Sequence, residues 1–148
     1  MSTTELYAAR DTVASRIAQA PLSASPIYPI HVDDLRESGL TDSTIQQAGI
    51  FSCCDVDRAR ELLGRDVGSV LPAIVFPFFD IAGCPTGYCR VKPSRPRFDS
   101  NGRLVKYEAP SGRPNAAYFP PGVRLLIDQH DFVIITEGDV FKIIINVK

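Results

Sequence analysis

The sequence predicts an α+β fold, and three observations carry that prediction. Up to about residue 66 the apolar residues recur at helical spacing and each run stops at a glycine. After Gly68 the texture changes to short β-branched and aromatic runs separated by Gly, Pro and Asn turns. The chain of 148 residues, 45% apolar and 22% charged, is long enough for one domain with a real core or for a small helical unit joined to a β-rich one. Three segments follow: an N-terminal helix and linker over 1–29, a small helical unit over 30–66, and a mostly antiparallel β unit over 70–148.

Each element has a local reason. Residues 3–19 place Leu6, Val13 and Ile17 among alanines and charges, an amphipathic helix that Pro21 ends. The stretch from Leu22 to Pro29, with Pro26, Ser23 and Ser25, reads as an extended linker. A helix is expected over Val32–Gly39. A second follows Leu40 with Thr41 or Asp42 as N-cap and ends at Gly49, and a third spans Asp55 to Leu63 and stops at Gly64. Asp33 and Asp34 sit where a helix start favours negative charge, which explains them without chemistry.

Ala73–Asp80 is an apolar strand, and Gly87–Lys92 alternates as its returning partner across a turn at Gly83 and Pro85. On that second strand Tyr88, Arg90 and Lys92 share one face and Cys89 and Val91 the other. An aromatic beside two cations suits base stacking and phosphate neutralisation, and it equally suits cross-strand packing. Pro93–Gly102 is a loop closed at Asn101-Gly102, Arg103–Glu108 a further strand, and Ala109–Asn115 a loop that lacks the spacing of a P-loop. Tyr118–Gly122 anchors the chain ahead of a turn at Asp128–Asp131. The run Phe132–Ile135 then forms a strand buried on both faces, which delivers Glu137 and Gly138 at its end. A carboxylate there suits a metal ion or general acid-base work, or simply marks where a strand meets solvent.

Charge is distributed unevenly. The first 66 residues hold ten acids against six arginines, whereas Arg90–Arg113 holds seven cations (Arg90, Lys92, Arg95, Arg97, Arg103, Lys106, Arg113) against Asp99 and Glu108. A net charge of −1 therefore conceals a basic face, the footprint of a phosphate-bearing partner or else a solvated β-surface. Cys53, Cys54, Cys84 and Cys89 lack the pair spacing of a zinc site, and His31 and His130 add no ligand pair. Reduced, partly buried thiols without disulfides are expected. With no leader pattern and no apolar run of membrane-spanning length, the expectation is a cytoplasmic protein without membrane contact.

In order, Ala-Ile-Val-Phe-Pro-Phe-Phe-Asp (73–80), Gly-Tyr-Cys-Arg-Val-Lys-Pro (87–93), Lys-Tyr-Glu-Ala-Pro-Ser-Gly (106–112), Tyr-Phe-Pro-Pro (118–121) and Ile-Ile-Thr-Glu-Gly (134–138) form a recognisable set. Together with Ser38–Gly49, the set resembles the family of uncharacterised domains that precede, and run into, a Toprim fold in phage and plasmid replication proteins. More distantly it is similar to the core of bacterial DNA primases. The resemblance covers about residues 30 to 138. It implies that Glu137 matches the first Toprim acid, a catalytic and metal candidate, and that Arg90, Lys92 and Lys106 match positions facing template or nucleotide phosphate. The later Asp-x-Asp pair of that family is missing, because the sequence ends eleven residues after Glu137 with a β-branched run that disfavours helix. The expected fold therefore ends in an incomplete Toprim-like strand, from a truncated or frame-shifted product or a stand-alone protein reusing the front of the family.

The functional expectation is a non-catalytic accessory domain binding single-stranded nucleic acid through Tyr88, Arg90, Lys92, Arg95, Arg97, Arg103, Lys106, Tyr107 and Arg113. Glu137 is then a vestigial catalytic residue. No cofactor is required, and Mg²⁺ at Glu137 is the metal candidate. The alternative is a mobile-element interaction module that docks on or inhibits a host nucleic-acid enzyme or replication protein, through the basic face or the acidic helices. Ile143–Ile145 offers an apolar edge for a homodimer.

Overall fold

The structure, a computed structural model, describes residues 26–68, 70–127, 134–136 and 142–144. The helix expected over 3–19, the turn at 128–131 and Glu137 lie outside the described residues. The chain is α+β, with short helices and antiparallel strands.

The linker expected to run through Pro29 gives way one residue earlier. Tyr28 is the N-cap and Pro29 the first residue of helix α1 (Pro29–Glu37), where its fixed φ and missing N–H cost nothing. Gly39 follows at φ +85°, a left-handed conformation that a side chain would oppose. Helix α2 (Asp42–Gln47) starts at Thr41, whose hydroxyl accepts from the Thr44 N–H at 3.2 Å. Strand β1 (Phe51–Cys53) comes next, unanticipated because three residues between Gly49 and Asp55 are too few to show a period. Helix α3 (Val56–Leu63) begins at Asp55, whose carboxylate accepts from the Arg58 N–H at 2.6 Å, and ends at left-handed Gly64.

Strands β2 (Ala73–Phe79) and β3 (Pro85–Pro93) form the predicted hairpin, and β1 joins the far edge of β2 to give an antiparallel sheet in the order β1-β2-β3. Phe51, Val75 and Val91 line up across it, and Ser52, Ile74 and Lys92 form the neighbouring row. Both faces are covered. One packs Phe51, Cys53, Val75, Cys89 and Val91 against Ala59, Leu62 and Leu63 of α3. The other packs Ile74 and Phe76 against Leu35 of α1, Ile45 of α2, and Ile50. Because helices lie on both faces, β2 is buried along its whole length and reads as a continuous apolar run rather than an alternation. Pro77 is tolerated in this central strand because β1 pairs only as far as Val75, so no neighbour on that side needs its N–H. Just beyond it the register with β3 shifts, and the Thr86 hydroxyl donates to the Phe78 carbonyl at 3.0 Å while accepting from the Tyr88 N–H at 3.2 Å.

The stretch expected as a loop up to Gly102 contains strand β4 (Arg97–Phe98), which pairs with β5 (Leu104–Val105). The Asp99 carboxylate closes this hairpin by accepting from the N–H groups of Asn101 and Arg103, both at 2.8 Å. The strand predicted to Glu108 is shorter, and its end returns to the sheet at Glu108, which exchanges two backbone hydrogen bonds with Val91. Past a one-turn helix α4 (Val123–Ile127), β6 (Ile134–Thr136) pairs antiparallel with β7 (Lys142–Ile144). Ile143, in the run expected to offer an edge to another chain, pairs with Ile135 on one side.

Candidate nucleic-acid interface

The cations of Arg90–Arg113 divide into those the fold has engaged and those it has left outward. On β3, Tyr88, Arg90 and Lys92 do share a face, and it is the face that α1 covers. Lys92 Nζ meets Asp34 Oδ2 at 2.5 Å, so its charge is neutralised by a residue of α1. Tyr88 is 2% exposed, its ring packed edge-on to Phe78 at 4.9 Å between centroids, with Tyr118 on Phe78 in turn. The guanidiniums of Arg90 and Arg113 lie 5.9 and 5.5 Å from the Tyr88 ring centroid, a cation–π arrangement that holds them against the sheet. Arg90 Nη2 donates to Asn115 Oδ1 at 2.8 Å, and Arg113 Nη1 to the Gly87 carbonyl at 2.7 Å. Neither has a carboxylate partner among the described residues. Tyr107 is half-buried and packs edge-on to Phe76.

Arg97 turns inward to Glu108, which is 3% exposed. Its Nε and Nη2 donate to Oε1 and Oε2 at 2.6 and 3.1 Å, and Arg65 Nη2 reaches Oε2 at 2.5 Å. A buried carboxylate is stable only when paired, and two arginines satisfy both oxygens. The hydrogen bond to Glu108 and its charge raise the pKa of Arg97 above its usual value.

Arg95, Arg103 and Lys106 are exposed, and their side chains make no hydrogen bond or ion pair among the described residues. In the same segment Phe98, 67% exposed, stands directly opposite Leu104, 47% exposed, on the β4–β5 hairpin. Paired residues project from one face. The aromatic ring open to a ligand is therefore Phe98, absent from the residues singled out by sequence. Its signal was present, an aromatic directly after Arg97 in a basic segment, but a two-residue strand gives no alternation to say that it points outward.

Elsewhere the structure builds a small polar network on His31. The ring is buried, with Nδ1 2.7 Å from Ser52 Oγ and Nε2 3.1 Å from Ser94 Oγ; Ser52 Oγ also accepts from the Tyr28 N–H at 2.8 Å. Since that hydroxyl already accepts once, its proton is best used on Nδ1, leaving Nε2–H to donate to Ser94. Burial lowers the His31 pKa; Asp34 opposes this and Lys92 adds to it. The network ties α1 to β1 and to the end of β3. The thiols are free: Cys54 and Cys84 are exposed, whereas burial raises Cys53 and pushes Cys89 up to about 12.

Among the described residues no three His, Cys, Asp or Glu side chains gather to hold a metal ion, and no helix is long and apolar enough to cross a membrane. Compared with protein-family models, with curated proteins and with solved structures, the chain matches none.

Proposed function

We propose that this chain is a non-catalytic, nucleic-acid-binding accessory domain of a phage- or plasmid-type, primase-like replication protein. It engages single strands over the β4–β5 hairpin. The observation that carries the reading is Phe98, more exposed than buried, on a hairpin whose segment also holds Arg95, Arg103 and Lys106, three exposed cations whose side chains make no ion pair among the described residues. An open aromatic gives a base a π-face to stack on, and free cations bind phosphate with release of counterions. Arg90 and Arg113, held on the Tyr88 ring without a carboxylate, extend the positive surface along β3. Lys92 and Arg97, committed to Asp34 and Glu108, contribute least.

The test is fluorescence anisotropy with a labelled single-stranded oligonucleotide at two salt concentrations. With about three phosphate contacts, log affinity should fall against log salt with a slope near −2. Phe98→Ala should weaken binding while leaving that slope unchanged, because stacking is not ionic, and Arg103→Ala/Lys106→Ala should flatten it. Absence of binding at low salt would overturn the proposal.

A further inference from the structure

We infer that the recess beside Glu108 is a binding site for a phosphomonoester, the terminal phosphate of a bound strand. The assignment of a strand as its source rests on the reading above. The recess has a volume of about 210 Å³ and is lined by Arg65, Arg95, Arg97 and Glu108, with Val67 and Val70 buried beside them. Each guanidinium carries five N–H groups. Arg97 spends one edge on Glu108 and keeps the other. Arg65 gives Nη2 to Glu108 and Nη1 to the Asp66 carbonyl at 3.2 Å, and keeps Nε–H. Arg95 has all of its donors free among the described residues.

Glu108 sets the geometry: from its buried position it clamps two guanidiniums in fixed orientation. One carboxylate does not neutralise three arginines. The second acid at the recess, Asp66, has Oδ1 accepting from the Val67 N–H at 2.8 Å and lying 3.8 Å from Arg60, so three guanidiniums face two carboxylates. What remains is a surplus of positive charge and of planar donors. That matches a phosphate monoester, which brings more than one negative charge and three acceptor oxygens. The volume lies below the roughly 300–1,000 Å³ of sites for drug-sized ligands and is ample for a phosphate. With Val67, Val70 and Glu108 buried in its lining, the recess suits a group that ends there. A mid-strand diester must lead chain both in and out.

The experiment compares one oligonucleotide bearing a 5′-phosphate, a 3′-phosphate or hydroxyls at both ends, against wild type, Arg95→Ala and Phe98→Ala, alongside calorimetry with inorganic phosphate. One phosphorylated end should tighten binding about tenfold, as charge-assisted hydrogen bonds of this kind permit. That advantage should vanish in Arg95→Ala and under competing inorganic phosphate. Phe98→Ala should weaken all three oligonucleotides equally and preserve the ratio. Equal affinity for the three ends, or an advantage that survives Arg95→Ala, overturns the recess assignment while leaving strand binding intact. Binding of inorganic phosphate that is lost in Arg95→Ala, with no oligonucleotide bound, upholds the phosphate site and overturns the strand as its source. Neither form of binding overturns both.

Discussion

Strand β3 and the β4–β5 hairpin belong to one basic segment, yet the fold uses their charges in opposite ways. On β3 the side chains project into a covered sheet, so Lys92 is matched by Asp34 and Tyr88 disappears beneath its neighbours. On the hairpin Phe98 and Leu104 are largely open, and Arg95, Arg103 and Lys106 remain outward. Local charge density is thus a poor guide to available charge. What decides availability is whether a second element lies across the same face, because desolvating an ammonium or guanidinium requires a partner and exposing one does not.

Stability separates the two regions most sharply. Phe78→Ala empties a fully buried position under Tyr88 and Tyr118 and should cost about 3–5 kcal/mol, whereas Phe98→Ala should stay within about 0.5 kcal/mol, both read by urea denaturation. Equal costs would mean that the hairpin aromatic is structural. Glu108→Gln comes next. It leaves two arginines facing a neutral amide, and because both are partly exposed the loss should be about 2 kcal/mol rather than the larger penalty of a fully buried pair.

Binding should invert that order. Phe98→Ala should lower single-strand affinity roughly tenfold, from about 1–3 kcal/mol per stacked base, and outweigh Arg90→Ala in the same anisotropy titration.

A smaller effect appears with pH. The folded-state pKa of His31 lies below the ordinary 6.5, so the unfolded chain binds more protons between those two values. Its contribution is present in full above 6.5 and is lost as pH falls through the folded-state value. The urea midpoint should decline from pH 7.5 toward pH 5, and His31→Gln should flatten that decline. Smallest in energy, native alkylation followed by mass spectrometry should label Cys54 and Cys84 and spare Cys53 and Cys89, whose burial disfavours the thiolate.

Elements with strong local causes are legible in the amino-acid sequence. A helix start at Thr41 or Asp42, a helix from about Asp55 stopped at Gly64, the β2–β3 hairpin and the division of Tyr88, Arg90 and Lys92 from Cys89 and Val91 all follow from side chains acting on adjacent backbone. Tertiary structure alone decided three things. It recruited Phe51–Cys53 as an edge strand, which a three-residue run cannot announce. It placed α1 over the cation-bearing face of β3, so that Asp34, 58 residues from Lys92, removed a charge that local reading leaves free. It also buried Glu108 between Arg65 and Arg97 while leaving Phe98 in the open. These are outcomes of contacts between residues far apart in the chain, and a side chain's partner across such a distance is set by packing rather than by its neighbours in sequence.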